Sequence, residues 1–97
     1  MTDQQQPVRR VAVVTGASRG IGRAIALRLA DPRRAARHVV LVSRSEAPLQ
    51  DVRAAIEASG GSASVAAIDV ADAKALQAGM DAIAEKHGRL DILVNNA

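Results

Sequence analysis

Three glycines, at positions 16, 20 and 22, constrain this chain most, because they lie between a strand pattern and a helix pattern. Residues 11–14 form an apolar, mostly β-branched run that is typical of a buried parallel strand. Ile21, Ile25 and Leu29 follow at helical spacing. Glycines at such a junction permit a tight turn and let a phosphate approach the N–H groups that begin the helix. The loop therefore predicts a phosphate-binding strand–loop–helix unit; the alternative is a glycine-rich turn without a ligand.

The same alternation of strand and helix patterns continues along the chain. Strand patterns cover residues 8–15, 39–42, 65–68 and 90–94. Helix patterns cover residues 20–30, the apolar positions from Leu49 to Ile56, and a third segment between Asp72, a candidate N-cap, and Gly88. Strands that alternate with helices in this way form right-handed crossovers and a parallel sheet.

We therefore predict an α/β fold, β-α-β-α-β-α-β, equivalent to the N-terminal half of a Rossmann-type doubly wound parallel sheet with strand order 3-2-1-4. Residues 8–97 are predicted to form this domain, and residues 1–7 a disordered N-terminal lead. Strands 1 and 4 are then neighbours at which the direction of winding reverses. A nucleotide binds in the crevice outside the carboxyl ends of such strands, where residues 15–22 and 95–97 would meet.

Composition excludes several other functions. The 97 residues carry a net charge of +3 but no aromatic side chain to stack on a base, so we expect no nucleic-acid partner. They contain no cysteine, and His38 and His87 are predicted to lie far apart, so we expect no metal site. No apolar run is long enough to span a membrane, and the polar N-terminus does not resemble a signal peptide. A cytoplasmic location without membrane association is the resulting expectation.

The glycine loop carries a family resemblance. The string Thr-Gly-Ala-Ser-Arg-Gly-Ile-Gly at residues 15–22 resembles the cofactor motif of the short-chain dehydrogenase/reductase family. Further matches are Arg44 after strand 2, Asp69 and Val70 after strand 3, and Asn-Asn-Ala at residues 95–97 after strand 4. The resemblance covers residues 8–97. It implies hydride transfer between a nicotinamide cofactor and a small carbonyl or alcohol substrate, in a parent protein that forms homo-oligomers.

The residues after strand 2 indicate which nicotinamide cofactor is preferred. Sites that prefer NAD place an acidic residue there to bind the ribose 2′-hydroxyl, whereas this chain has Ser43, Arg44 and Ser45. A guanidinium binds a 2′-phosphate through paired hydrogen bonds, and Arg19 can approach the same group. The sequence therefore favours NADP (NADPH) over NAD.

The resemblance gives further roles to residues of the crevice. Asp69 and the Val70 backbone are expected at the adenine, and Asn95 and Asn96 at the adenosine ribose. The candidate cofactor-binding residues are Gly16, Ser18, Arg19, Gly20, Ile21, Gly22, Ser43, Arg44, Ser45, Asp69, Val70, Asn95, Asn96 and Ala97.

The family's catalytic groups have no counterpart among these residues. They are a serine and a Tyr-x-x-x-Lys pair that follow the fourth strand, and the 97 residues contain no tyrosine. No catalytic residue is therefore assigned, and the 97-residue chain alone is predicted to be inactive. The expectation is the NADP-binding portion of a longer enzyme. A non-catalytic nucleotide-binding or regulatory module and a truncated gene remnant are the alternatives. The loop string is similar to 3-oxoacyl-carrier-protein reductases and the second strand to sepiapterin or benzil reductases.

Overall fold

A computed structural model describes residues 9–96 of the chain. The predicted lead at residues 1–7, Val8 and Ala97 lie outside the described residues. Seven elements alternate along the chain. They are β1 (Arg10–Thr15), α1 (Gly20–Leu29), β2 (Arg37–Ser43), α2 (Glu46–Ala58), β3 (Ser62–Ala67), α3 (Ala73–His87) and β4 (Ile92–Val94).

The four strands form one parallel sheet in the order β3-β2-β1-β4, which confirms the predicted topology. Successive residues of β1 and β2 point to opposite faces, and both faces are covered, so neither strand shows an alternation of apolar and polar residues. One face carries Ala12, Val14, Val39 and Leu41, which pack with buried residues of α1 and α2. On the other face, Val11, Val13, Val40 and Val42 pack against Ile83 of α3.

Helix α2 begins three residues before Leu49, which is its first buried residue. Its first turn, Glu46, Ala47 and Pro48, is exposed, so it carries no hydrophobic periodicity. Pro48 is tolerated there because N–H groups of the first turn have no acceptor within the helix. The other end fits the predicted stop: Gly60 adopts φ +90°, and the N–H groups of Gly60 and Gly61 donate to carbonyls of the last turn.

Helix α3 has both predicted ends. The Asp72 carboxylate accepts hydrogen bonds from the N–H groups of Lys74 and Ala75, each at 3.1 Å. At the other end Gly88 adopts φ +74° and donates its N–H to the carbonyl of Ala84 at 2.8 Å. These caps fix where the chain leaves the sheet after β3 and returns to it before β4.

Strand β4 joins β1 through the residue before it. The Asp91 carboxylate accepts a hydrogen bond from the Val11 N–H at 2.8 Å, and the Asp91 N–H donates to the Val11 carbonyl at 2.9 Å. Two further bonds from the Arg89 guanidinium, both at 2.7 Å, hold the same carboxylate. These contacts, with Arg89 first, lower the pKa of Asp91 to about 2. The predicted strand began at Leu90, whereas the paired strand begins at Ile92, because the Val11 N–H bonds to the Asp91 carboxylate and not to a backbone carbonyl.

The prediction that the two histidines lie far apart is wrong. The imidazole centroids of His38 and His87 are 4.8 Å apart, because α3 crosses the face of the sheet and ends over the start of β2. The His38 ring nitrogens also form hydrogen bonds with the hydroxyls of Ser62, at 2.6 Å, and Ser64, at 2.9 Å. The pairing of β3 with β2 begins at the same two residues, His38 and Ser62, so β3 starts ahead of the apolar residues that predicted it.

Burial and the charge of nearby groups lower the pKa of His38 to about 4, from an ordinary value of 6.5. The contributing groups, after burial, are His87, Arg9, Lys86 and Arg53. The unfolded chain therefore binds a proton on this imidazole between about pH 6.5 and pH 4, where the folded chain does not. The neutral His38 imidazole therefore makes its full contribution to the free energy of unfolding above about pH 6.5. This contribution is lost as the pH falls from about 6.5 to about 4.

We expect the free energy of unfolding to fall by about 1 kcal/mol between about pH 6.5 and pH 5 because of His38, a figure reduced for its partial exposure. Urea denaturation across this interval would measure the fall. His38→Gln keeps a hydrogen-bonding side chain but removes the titration, so its stability should depend less on pH. His87→Gln is the control that retains most of the effect, because burial is its largest cause. Equal pH slopes for the wild type and His38→Gln would contradict the assignment.

Candidate functional site

A cleft of about 640 Å³ lies at the carboxyl ends of β1, β2 and β3. The glycine loop forms one side, and the segments that follow β2, β3 and β4 form the rest. Its lining residues are Gly16, Ser18, Arg19, Gly20, Ile21, Ser43, Arg44, Ile68, Asp69, Val70, Ala71 and Asn96. Because parallel strands bring their carboxyl ends to one edge, residues far apart in sequence meet here.

The glycine loop exposes backbone to this cleft. Gly20 adopts φ +60°, and a Cβ built on it would meet no atom within 4 Å, so open space lies beside the first residue of α1. The preceding residue, Arg19, provides no side-chain cap, and the first turn of α1 contains no acidic residue. The N–H groups of this turn therefore present a partial positive charge to the cleft, and no acidic side chain of the same turn neutralises it.

Gly22 has a different role, which is close packing behind the loop. A Cβ on Gly22 would overlap the carbonyl oxygen of Gly16 and would lie 2.6 Å from Nδ2 of Asn96. Only a residue without a side chain allows α1 to start this close to both the turn and the segment after β4. The loop is also joined to β2, since the Ala17 N–H donates to the Val42 carbonyl at 3.2 Å.

Thr15, the buried last residue of β1, positions the segment after β4. Its hydroxyl accepts a hydrogen bond from the Asn96 N–H at 2.9 Å. The Val94 carbonyl and Asn95 Oδ1 both lie 3.3 Å from the same hydroxyl and compete for its one proton. Asn96 is thereby held at the cleft, whereas Asn95 contributes from behind it.

Arg19 and Arg44 bring two positive charges to one side of the cleft. Both are exposed, and both line an adjoining depression of about 380 Å³ with Ser18, Ser43 and Ser45. Neither forms a salt bridge with another residue in the 9–96 range. The Ser43 hydroxyl donates to the Ser45 carbonyl at 3.2 Å, which shapes the turn that carries Arg44. The depression is therefore a hydroxyl-lined, cationic surface suited to a dianion.

Asp69 lies across the cleft from the glycine loop, in a turn that its own side chain stabilises. Its Oδ1 accepts a hydrogen bond from the Ala71 N–H at 3.0 Å, and its carbonyl accepts one from the Asp72 N–H at 3.0 Å. The Ile68 N–H donates to the Ser43 carbonyl at 2.9 Å, so this turn is held beside the one that carries Arg44. Asp69 thus has a structural function whether or not it contacts a ligand.

Most of the candidate residues named from the sequence meet in this cleft. The exceptions are Ser45, which lines only the adjoining depression, Gly22 and Asn95, which pack behind the surface, and Ala97, which lies outside the described residues. Thr15 belongs to the motif string at residues 15–22 but was not among the candidate cofactor-binding residues, and neither were Ile68 and Ala71. A polar residue directly after the apolar run at residues 11–14 was the available signal for the structural role of Thr15.

The family model for short chain dehydrogenases matches residues 10–97. The chain therefore belongs to the short-chain dehydrogenase family.

Relatives and solved structures agree with this membership. A fatty acyl-CoA reductase from Acinetobacter baylyi is 43% identical over 88 residues, which are 91% of this chain and 29% of that protein. A metagenomic short-chain oxidoreductase solved in complex with NADP matches with a TM-score of 0.85 and 45% identity, over 91% of this chain and 38% of the other. An Agrobacterium tumefaciens 3-oxoacyl (acyl-carrier-protein) reductase with NADP bound gives a TM-score of 0.79 and 43% identity, over 93% and 34%. The chain spans about a third of the length of these proteins.

No helix among residues 9–96 is long and apolar enough to cross a membrane. The same residues hold no group of three histidine or acidic side chains arranged to bind a metal ion.

The packing at Gly22 predicts the sign of a substitution. Alanine normally stabilises the interior of a helix by about 1 kcal/mol relative to glycine. We expect Gly22→Ala to destabilise the protein instead, by about 1–3 kcal/mol, because the added methyl group overlaps backbone that cannot rotate away. Urea denaturation would measure the change.

Gly79→Ala is the matched control for this prediction. Gly79 also lies inside a helix, but its added Cβ would meet the flexible end of the Ile68 side chain. We therefore expect Gly79→Ala to be neutral or stabilising. Equal stability of Gly22→Ala and the wild type would show that the loop and α1 can separate without cost.

Proposed function

We propose that residues 8–97 form the NADP-binding part of an oxidoreductase that transfers hydride between NADP(H) and a small carbonyl or alcohol substrate. The observation that carries this proposal is the first turn of α1, which has no side-chain cap and no acidic residue. It faces the cleft together with Arg19 and Arg44. Backbone donors, a helix dipole and two guanidinium groups there all favour a ligand with several phosphates.

The glycine loop would hold the pyrophosphate of the cofactor. The open space beside Gly20 allows a phosphate to reach the first N–H groups of α1, and the Ser18 hydroxyl lines the same surface. Gly16 and Gly22 would not touch the phosphates in this proposal. They keep the loop, α1 and Asn96 close together, and so fix the position of the donors.

Arg44 supports NADP rather than NAD. It follows the carboxyl end of β2, where an acidic residue would accept hydrogen bonds from the two hydroxyls of an unmodified ribose. A guanidinium offers donors only and a fixed positive charge, which suits a 2′-phosphate dianion. Arg19, Ser43 and Ser45 share the depression with Arg44 and would contribute further donors.

The remaining surface of the cleft suits the adenosine. Asp69 has a second carboxylate oxygen, beyond the one bonded to Ala71, that could accept a hydrogen bond from the adenine amino group. Val70 and Ile68 provide apolar surface for the ring, and Asn96 lines the cleft where the ribose would lie. Ile21, with 72% of its surface exposed, would be covered by the nicotinamide end of the cofactor.

The bound cofactor supplies or accepts the hydride, and these residues bind and orient it. The 97 residues contain no tyrosine, so a phenol that exchanges a proton with the substrate would come from outside them. Names of the relatives, an acyl-CoA reductase and an acyl-carrier-protein reductase, support a carbonyl substrate without selecting one. We propose no catalytic residue within this chain.

The cofactor preference is tested by Arg44→Asp in the full-length protein. We expect the wild type to bind NADPH more tightly than NADH, and the substitution to weaken NADPH binding by about tenfold or more, because a charge-assisted hydrogen bond is replaced by repulsion. Binding of NADH should change far less. Titration followed by the fluorescence of the reduced nicotinamide gives both dissociation constants.

Arg9→Asp is the matched control, because it makes the same change of charge at an exposed residue before β1, at the opposite edge of the sheet. Equal affinity of the wild type for NADPH and NADH would reject NADP as the preferred cofactor. Tight NADPH binding without reduction of any carbonyl compound would favour the non-catalytic binding module.

A further inference from the structure

A second cationic depression lies where β2 begins, at the end of the sheet opposite the cofactor cleft. It has a volume of about 350 Å³ and is lined by Ile25, Arg28, Leu29, Arg34 and Arg37. The last turn of α1, the connection that follows it and the first residue of β2 contribute these side chains. Because β2 runs from Arg37 to Ser43, its length of about 20 Å separates the depression from the cofactor cleft. The NADP proposal does not involve these residues.

The three arginines of this depression lack carboxylate partners. None of them forms a salt bridge within residues 9–96. The nearest acidic residue along the chain, Asp31, is bound by Arg33 through two side-chain hydrogen bonds at 3.1 and 3.2 Å. Arg33 accordingly lowers the pKa of Asp31, and the charge of Arg34 makes a smaller contribution in the same direction. Three guanidinium groups therefore share one depression without a salt bridge among residues 9–96, an arrangement that an external anion would stabilise.

Arg37 lies where the depression meets the end of α1. Its Nη1 donates to the carbonyl of Leu29 at 3.2 Å, and so satisfies one acceptor at the end of α1. Its Nε is buried and has no hydrogen-bond partner among the residues from 9 to 96. This Nε has no surface that a ligand oxygen in the depression could reach, so an anion there would contact the outer guanidinium nitrogens of Arg37.

The other lining residues define the shape of the ligand. Ile25 and Leu29 add apolar surface beside the arginines, so the depression combines a cationic part with a hydrophobic part. Three positive charges favour a dianion such as a phosphate over a single carboxylate.

We infer that the depression formed by Arg28, Arg34 and Arg37 is a second anion site, which binds the phosphate group of a small organic molecule while Ile25 and Leu29 contact its apolar body. The alternative is that these arginines only cover the end of α1. Arg37 does bond to a helix carbonyl, but neither Arg28 nor Arg34 has such a side-chain bond among residues 9–96. Helix capping therefore explains one of the three.

Isothermal titration of phenyl phosphate into the full-length protein, saturated with NADPH, tests this inference. Saturation removes the phosphate-binding surface of the cofactor cleft from the measurement. We expect binding of phenyl phosphate that Arg28→Ala and Arg34→Ala each weaken by about tenfold. Both side chains are exposed, so the variants should fold. Arg23→Ala removes an exposed arginine of the same helix that does not line the depression, and it should bind as the wild type does.

Two further probes separate the parts of the inference. Benzoate, a single negative charge on the same ring, should bind about tenfold more weakly if the charge of the phosphate matters. Inorganic phosphate should also bind more weakly, because it has no apolar body; equal affinity would reject the role of Ile25 and Leu29. No binding up to about 10 mM phenyl phosphate, or unchanged binding in both arginine variants, would overturn the site.

Discussion

The pairing of β4 with β1 is the contact on which the rest of the site depends. At one end, Asp91 exchanges two hydrogen bonds with Val11, one of them through its carboxylate. At the other end, the Thr15 hydroxyl accepts the Asn96 N–H, and Asn96 lies against Gly16 and Gly22. The reversal of winding between these strands creates the cleft, so the strand pairing, the glycine loop and the cleft form one unit. A change in any of the three alters the other two.

Much of the fold follows from short-range patterns. The buried strands β1 and β2 are apolar runs, and α3 begins and ends at an Asp cap and a glycine that are visible in the sequence. The errors have specific causes. The first turn of α2 is exposed and therefore lacks periodicity, while β3 begins at serines whose partner, His38, lies on another strand. The contact between His38 and His87 also depends on how α3 crosses the sheet, which spacing along the chain does not contain.

The candidate site was predictable to the extent that it follows strand ends. Gly16 and Arg44 come directly after a strand and Asp69 comes two residues after one, so the topology alone brings them to one edge. Residues that act through packing were harder to identify. The Thr15 hydroxyl forms its hydrogen bonds with atoms about 80 residues away in the sequence. The close approach of Gly22 to Asn96 depends on the angle at which α1 leaves the loop. The arginine depression depends on where the end of α1 meets the start of β2, and no local motif encodes that meeting.

The long sequence separation between β1 and β4 has a consequence for the order of folding. The side-chain bond between β2 and β3 joins residues 24 positions apart, whereas the one between β1 and Asp91 spans 80. Closing the longer loop costs about 1 kcal/mol more in chain entropy, and β4 repays it with only three paired residues. The units β1-α1-β2 and β2-α2-β3 should therefore assemble first, and β4 should dock last. A molecule bound at Asn96 and the glycine loop together would stabilise the docked strand by mass action, and so would favour completion of the sheet.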